Sequence, residues 1–195
     1  MQRTSHNTPA RVAIAVAATL LAALAVVGPG LAGAETAPTG VTDTIFMKDV
    51  NGLPKFVGPK TVTVGDELKV VNLSNPKRVG PHTISLVTQG SLPKTKSARQ
   101  KCFTPNHICQ AIATWHGAKG EGPPTINPTE AGAEGWDTEG SNTREGDSWF
   151  TGKKGQSFEQ QVTADVSAGQ RTIYFICAVH PWMQGKVTVL PPAQQ

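Results

Sequence analysis

The chain has 195 residues, of which 38% are hydrophobic and 16% charged, with 20 Gly, 15 Pro, 3 Cys and 5 His. Its 18 Lys and Arg against 14 Asp and Glu give +4, and without Arg3 and Arg11 of the leader described next the balance is 16 against 14, or +2. So small an excess argues against nucleic acid or an anionic membrane surface as the partner, and the Gly and Pro load favours turns over long helices.

Residues 1–34 have the pattern of an export signal. Arg3 and Arg11 precede an apolar run over 12–27, Gly28-Pro29-Gly30 breaks it, and Ala32-Gly33-Ala34 offers a small-x-small cleavage site. The run is shorter than the ~20 residues of a spanning helix, so no stable membrane insertion is expected once the signal is removed. The expected mature chain, 35–195, is a single domain placed in the periplasm, on the cell surface or outside the cell.

Short β-branched or aromatic runs follow at 41–47, 61–64, 68–72, 83–87, 158–162, 171–177 and 186–190. Asn51-Gly52, Gly65-Asp66, Asn75-Pro76 and Ala168-Gly169 separate them as turns. Seven short strands without strand–helix alternation predict an all-β antiparallel sandwich or barrel. Between them, 88–157 is an irregular insertion far above ordinary loop length, with at most one short helix, over 106–116. In it Trp136, Trp149 and Phe150 suit a small satellite core. Lys94, Lys96, Arg99 and Lys101 stand against an acidic tract of Glu130, Glu134, Asp137, Glu139, Glu145 and Asp147; both sets read as solvated faces, with charge-steered docking as the alternative.

Export makes the cysteines informative. Cys102 and Cys109, seven apart in a polar stretch, suit a short disulfide, with a zinc site shared with His107 and His116 as the less favoured alternative. Cys177 is left over, at the end of an apolar run. In Cys177-Ala-Val-His180-Pro-Trp-Met183 a thiol, an imidazole and a thioether recur every three residues, and Pro181 forbids a regular helix through them. A tight loop can turn all three toward one centre, and His82, opening the 83–87 strand after Pro81, is the expected fourth donor. Period-two geometry agrees: Ile173, Phe175 and Cys177 share one face, and His82, Ile84 and Leu86 another. Two imidazoles, one thiolate and a weak thioether are the donor set of a blue-copper electron-transfer site.

At these residues the chain resembles the cupredoxins, most closely the amicyanin-like and plastocyanin-like ones. Val62-Thr63-Val64-Gly65-Asp66 running into 68–72, Pro81-His82 and Cys177-Ala-Val-His180-Pro-Trp-Met183-Gln-Gly-Lys-Val carry the resemblance, which covers about 41–87 and 158–190. It implies a Greek-key cupredoxin β-sandwich with one mononuclear type 1 copper held by His82, Cys177, His180 and Met183. It also implies that His180 reaches a surface patch, here Pro181 and Trp182, where redox partner proteins dock. Relatives usually carry Asn after the first ligand His; here it is Thr83, whose hydroxyl is a partial substitute for tying the ligand loops together. The expected role is that of a monomeric one-electron carrier and not an enzyme. An electron-transfer subunit of a copper oxidoreductase and a copper-handling or storage protein are the alternatives. After loss of the leader only His82, His107, His116 and His180 remain, too few for a further catalytic copper cluster.

Overall fold

Alternation along the strands decides which side chains meet. In the computed structural model, which describes residues 42–119, 130–132 and 134–192, β4 (Glu67–Asn72) buries Leu68, Val70 and Asn72, and β8 (Arg171–Ile176) buries Ile173 and Phe175. The expected leader at 1–34 lies outside the described residues. All seven predicted strands form. With β1 (Thr42–Val50), β3 (Thr61–Thr63), β5 (His82–Val87), β7 (Ser157–Gln161) and β9 (Gln184–Leu190) they account for most of two sheets. Two further strands complete them: β2 (Leu53–Val57), whose Pro54 suits its place at a sheet edge, and β6 (Ser148–Thr151), four residues within the insertion.

The sheets run β2-β1-β4-β7 and β3-β9-β8-β5-β6. They are mixed rather than antiparallel throughout: β1 pairs with β4, and β3 with β9, in parallel. The chain crosses between layers after β2 and again after β3, so those pairs join strands that no hairpin connects. Ile45, Met47, Leu68 and Val70 of one sheet pack with Ile84, Leu86, Ile173 and Phe175 of the other in a single buried cluster. This is a β-sandwich.

The insertion is more structured than its composition suggests. The helix expected over 106–116 forms as α3 (Ile108–Trp115), but a second helix, α2 (Lys96–Gln100), precedes it, so the expectation of at most one helix is corrected. Thr95 starts α2 by accepting the Ala98 N–H on its hydroxyl at 3.0 Å, a cap that offsets a basic run with little apolar periodicity. Cys102 and Cys109 are disulfide-bonded, which removes both from any zinc site.

The insertion also supplies core. Trp136 and Trp149 are buried in the main cluster, not in a satellite one, with ring planes 4° apart and centroids 5.3 Å apart. A separate cluster of Val87, Cys102, Ile108, Cys109, Ile112, Ile176 and Ala178 covers the outer side of β5 and β8, which is why every residue of β5 is buried. Two acidic residues of the tract are structural rather than solvated. Glu139 pairs with Arg171 at 3.1 Å and accepts the Tyr174 N–H, while buried Asp147 accepts the N–H groups of Asp137 and Thr138.

Because Trp136 belongs to the main core, Trp136→Ala is expected to destabilise the protein by about 3–5 kcal/mol, the range of large aromatic truncations in packed interiors. Chemical denaturation measures it. A loss below about 1 kcal/mol would mean that the ring sits outside the cooperative unit.

Candidate metal centre

The β5–β8 ladder positions the site. Pairing runs from Val87 with Tyr174 to Ser85 with Ile176 and stops there. Beyond that point the Ala178 N–H donates to the Thr83 hydroxyl at 2.8 Å, and the Thr83 N–H donates to Cys177 Sγ at 3.4 Å. His82 and Cys177 thus face each other just past the end of the ladder, on the core side that period two assigned to them.

The loop from Cys177 to Met183 closes on itself. Cys177 N–H donates to the Met183 carbonyl at 2.9 Å, His180 N–H to the Cys177 carbonyl at 3.2 Å, and Met183 N–H to the His180 carbonyl at 2.7 Å. Pro181 has no N–H to place, so the loop leaves no such donor unpaired there. These bonds turn the His180 ring back over the strand end it came from.

The result is a buried His82–Cys177–His180 group whose ligand atoms all lie within 4.8 Å of one another. His82 Nδ1 is 3.8 Å and His180 Nδ1 3.5 Å from Cys177 Sγ. For metal bonds of ~2.0 Å to imidazole nitrogen and ~2.3 Å to cysteine sulfur, an angle near 120° places nitrogen and sulfur about 3.7 Å apart. The two separations straddle that value, so each imidazole nitrogen stands at a distance from the sulfur that a shared ion would require. Met183, 1% exposed, lies in the same buried cluster as Cys177.

Hydrogen bonding fixes one imidazole. His180 Nε2 lies 2.6 Å from the Val79 carbonyl, which can only accept, so the proton sits on Nε2 and the Nδ1 lone pair faces the sulfur. Val79 ends α1 (Pro76–Val79), a single turn started by Asn75, whose side chain accepts the Lys77 N–H, and tied to β1 by an Arg78–Asp49 ion pair. His82 is fully buried, and its Nε2 has no hydrogen-bond partner among the described residues.

Burial makes the metal-free site neutral. Desolvation pushes the Cys177 thiol up to about 11, against lowering hydrogen bonds from Thr83, His180 and Val179. Desolvation and then the adjacent His180 push His82 down to about 4, and burial lowers His180 as well. A cation supplies the charge that a thiolate here needs, so metal uptake releases the thiol proton. One thiolate and two neutral imidazoles beside a thioether are the donor set of a mononuclear type 1 copper site; structural zinc instead takes four cysteine or histidine ligands.

The sandwich and the buried donors are those that the sequence resemblance to the cupredoxins implies. Among solved structures, the chain is similar to a purple cupredoxin from Nitrosopumilus maritimus, at 17% identity and a TM-score of 0.34 over 75% of this chain and 97% of that one. It is similar to auracyanin A, a "blue" copper protein from Chloroflexus aurantiacus, at 16% and 0.38 over 77% and 98%. A copper-containing nitrite reductase from Thermus scotoductus is similar at 17% and 0.36, over 78% of this chain but 23% of that one. No family model and no curated protein matches. Likenesses this faint decide nothing on their own.

The sequence-derived surface patch is only partly at the surface. His180 is 6% exposed and Pro181 is buried; Trp182, at 45% exposed, is the accessible member, its ring edge-on to His180 at 5.2 Å. His180 is shut in because α1, which the sequence marked only as an Asn75-Pro76 turn, covers its Nε2. Trp182 instead borders a groove of about 460 Å³ lined by Leu53, Lys96, Arg99, Gln100 and Pro181. Neither of the other described histidines joins the centre: His107 bonds Thr104 and the Pro105 carbonyl, and buried His116 bonds Ser148.

Ligation adds stability that only the folded state can claim. Copper(II) at a hundred times its dissociation constant is expected to stabilise the protein by about 2.7 kcal/mol, seen as a raised Tm. His82→Ala should abolish the rise, whereas His107→Ala should leave it intact; an equal rise in both would place the ion elsewhere.

Proposed function

We propose that the protein is an exported one-electron carrier, in which His82, Cys177, His180 and Met183 would hold a copper ion. The observation that supports this most is the buried His82–Cys177–His180 group, with both imidazole nitrogens at coordinating separations from one sulfur. When bound, copper supplies a single electron that is gained or lost between its two oxidation states. The chain holds the donors, excludes water and keeps the imidazoles neutral, so little reorganises between states. The Cys102–Cys109 disulfide supports an oxidising compartment. No helix among the described residues is long and apolar enough to cross a membrane. The positions of His107 and His116 leave them unavailable to a second metal beside the first, which favours a carrier over a self-contained copper enzyme.

Partners are redox proteins met briefly, over less than ~1,200 Å² in total. Trp182 is the conduit, because it touches His180 and is open to a partner. Lys96 and Arg99 on the groove wall favour an acidic partner face.

Substitution separates the ligand roles. Cys177→Ser is expected to abolish the intense visible absorption of the copper(II) form, while Met183→Leu retains a coloured centre at a changed midpoint potential. Two variants indistinguishable from wild type would refute the ligand set.

Electron exchange tests the conduit. Trp182→Ala is expected to slow oxidation of the reduced protein by hexacyanoferrate(III), and a Lys96→Glu/Arg99→Glu variant to slow it about tenfold at low salt, with the difference fading as salt rises. Rates that ignore both changes would move the exchange surface elsewhere.

A further inference from the structure

The outer face of β5 carries hydroxyls that a solvent-facing strand would leave hydrated, yet Thr83, Ser85 and Ser148 are fully buried and His116 is 1% exposed. They form one chain. Ser85 Oγ donates to Thr83 Oγ1 at 3.2 Å, Ser85 and Ser148 hydroxyls lie 2.6 Å apart, and His116 Nε2 lies 2.8 Å from Ser148 Oγ. Ser148 stands directly across the β5–β6 ladder from Ser85, and His116 caps the C-terminal end of α3.

Proton counting gives the chain a direction. Each hydroxyl has one proton to donate. Ser85 spends its proton on Thr83, so Ser148 must donate to Ser85, and His116 must then donate to Ser148 through Nε2–H. The order runs inward, from His116 to Ser148, Ser85 and Thr83. Thr83 Oγ1 thus accepts from Ser85 and from the Ala178 N–H, while the Thr83 backbone N–H donates to Cys177 Sγ. Hydrogen bonds in series polarise one another, and donors at a metal-bound sulfur withdraw charge from it and favour the reduced ion.

We propose that His116 and Ser148 of the insertion are positioning residues for the copper thiolate, acting through Ser85 to fix Thr83, whose N–H donates to Cys177 Sγ and whose hydroxyl holds the Ala178 N–H beside it, and so raising the midpoint potential. This rests on the copper-carrier reading above. It gives the insertion a role in setting the centre's redox properties from outside the sandwich, through groups that never touch the metal.

The test uses the full-length copper-loaded protein. Ser148→Ala removes one oxygen and His116→Leu removes the terminal donor; each is expected to lower the midpoint potential and move the sulfur-to-copper band to longer wavelength. The double variant should shift no further than the larger single one, because both cut one chain. His116→Gln, which places an amide N–H where Nε2–H stood, should restore the wild-type potential. Independently of copper, nitrogen NMR of the metal-free protein should find His116 protonated at Nε2. Unchanged potentials and bands in both single variants, additive shifts, or a His116 protonated only at Nδ1 would each overturn the proposal. A wild-type protein without the intense band would instead overturn the copper reading beneath it.

Discussion

A dry cysteine sulfur held between two imidazole nitrogens is the constraint that the rest of the molecule serves. Uncharged, it is a tolerable core group; ionised, it needs a cation. The fold achieves the placement by ending a ladder early. Had β5 and β8 continued to pair beyond Ser85 and Ile176, backbone carbonyls would occupy the approach to Thr83 and Ala178. Instead a side-chain hydroxyl takes the Ala178 N–H, and the sulfur lies just past the last backbone pair. The loop from Cys177 to Met183 brings the second imidazole back by its own hydrogen bonds, and the Val79 carbonyl decides which nitrogen looks inward.

The insertion departs most from a bare sandwich, and it builds into the core as well as onto the surface. It stacks Trp136 on Trp149 within the main core, seals the outside of β5 and β8 with a disulfide-stapled cluster, and anchors the ligand loop where Gln184 donates to the Pro93 carbonyl at 3.1 Å. It also forms the basic wall beside Trp182. Gly140 and Gly146 allow this close wrapping: a Cβ on Gly146 would stand 2.2 Å from the Gly140 nitrogen, a backbone contact that cannot yield.

What the sequence disclosed and what it hid follow from the range of each signal. Period two over six residues suffices to put Ile173 and Phe175 on the core face, and the recurrence of Cys177, His180 and Met183 is local, so strand faces and a metal-binding loop could be read directly. The parallel pairs β1·β4 and β3·β9 depend on which layer each strand joins, which no local pattern encodes. β6 is too short to show periodicity. The burial of Trp136, Asp147 and His116 depends on where a long insertion returns to the sandwich. His180 was expected near the surface because the residues that cover it form a single turn, recognisable only as an Asn-Pro bend.

The account is tested most directly by crystal structures of the protein with and without one equivalent of copper. A preformed centre predicts the ion bonded to Cys177 Sγ and to Nδ1 of both His82 and His180, with the 3.8 and 3.5 Å sulfur–nitrogen separations changed by less than about 0.5 Å on loading. An ion bound through other residues, or a cysteine that must swing to reach it, would contradict the central claim.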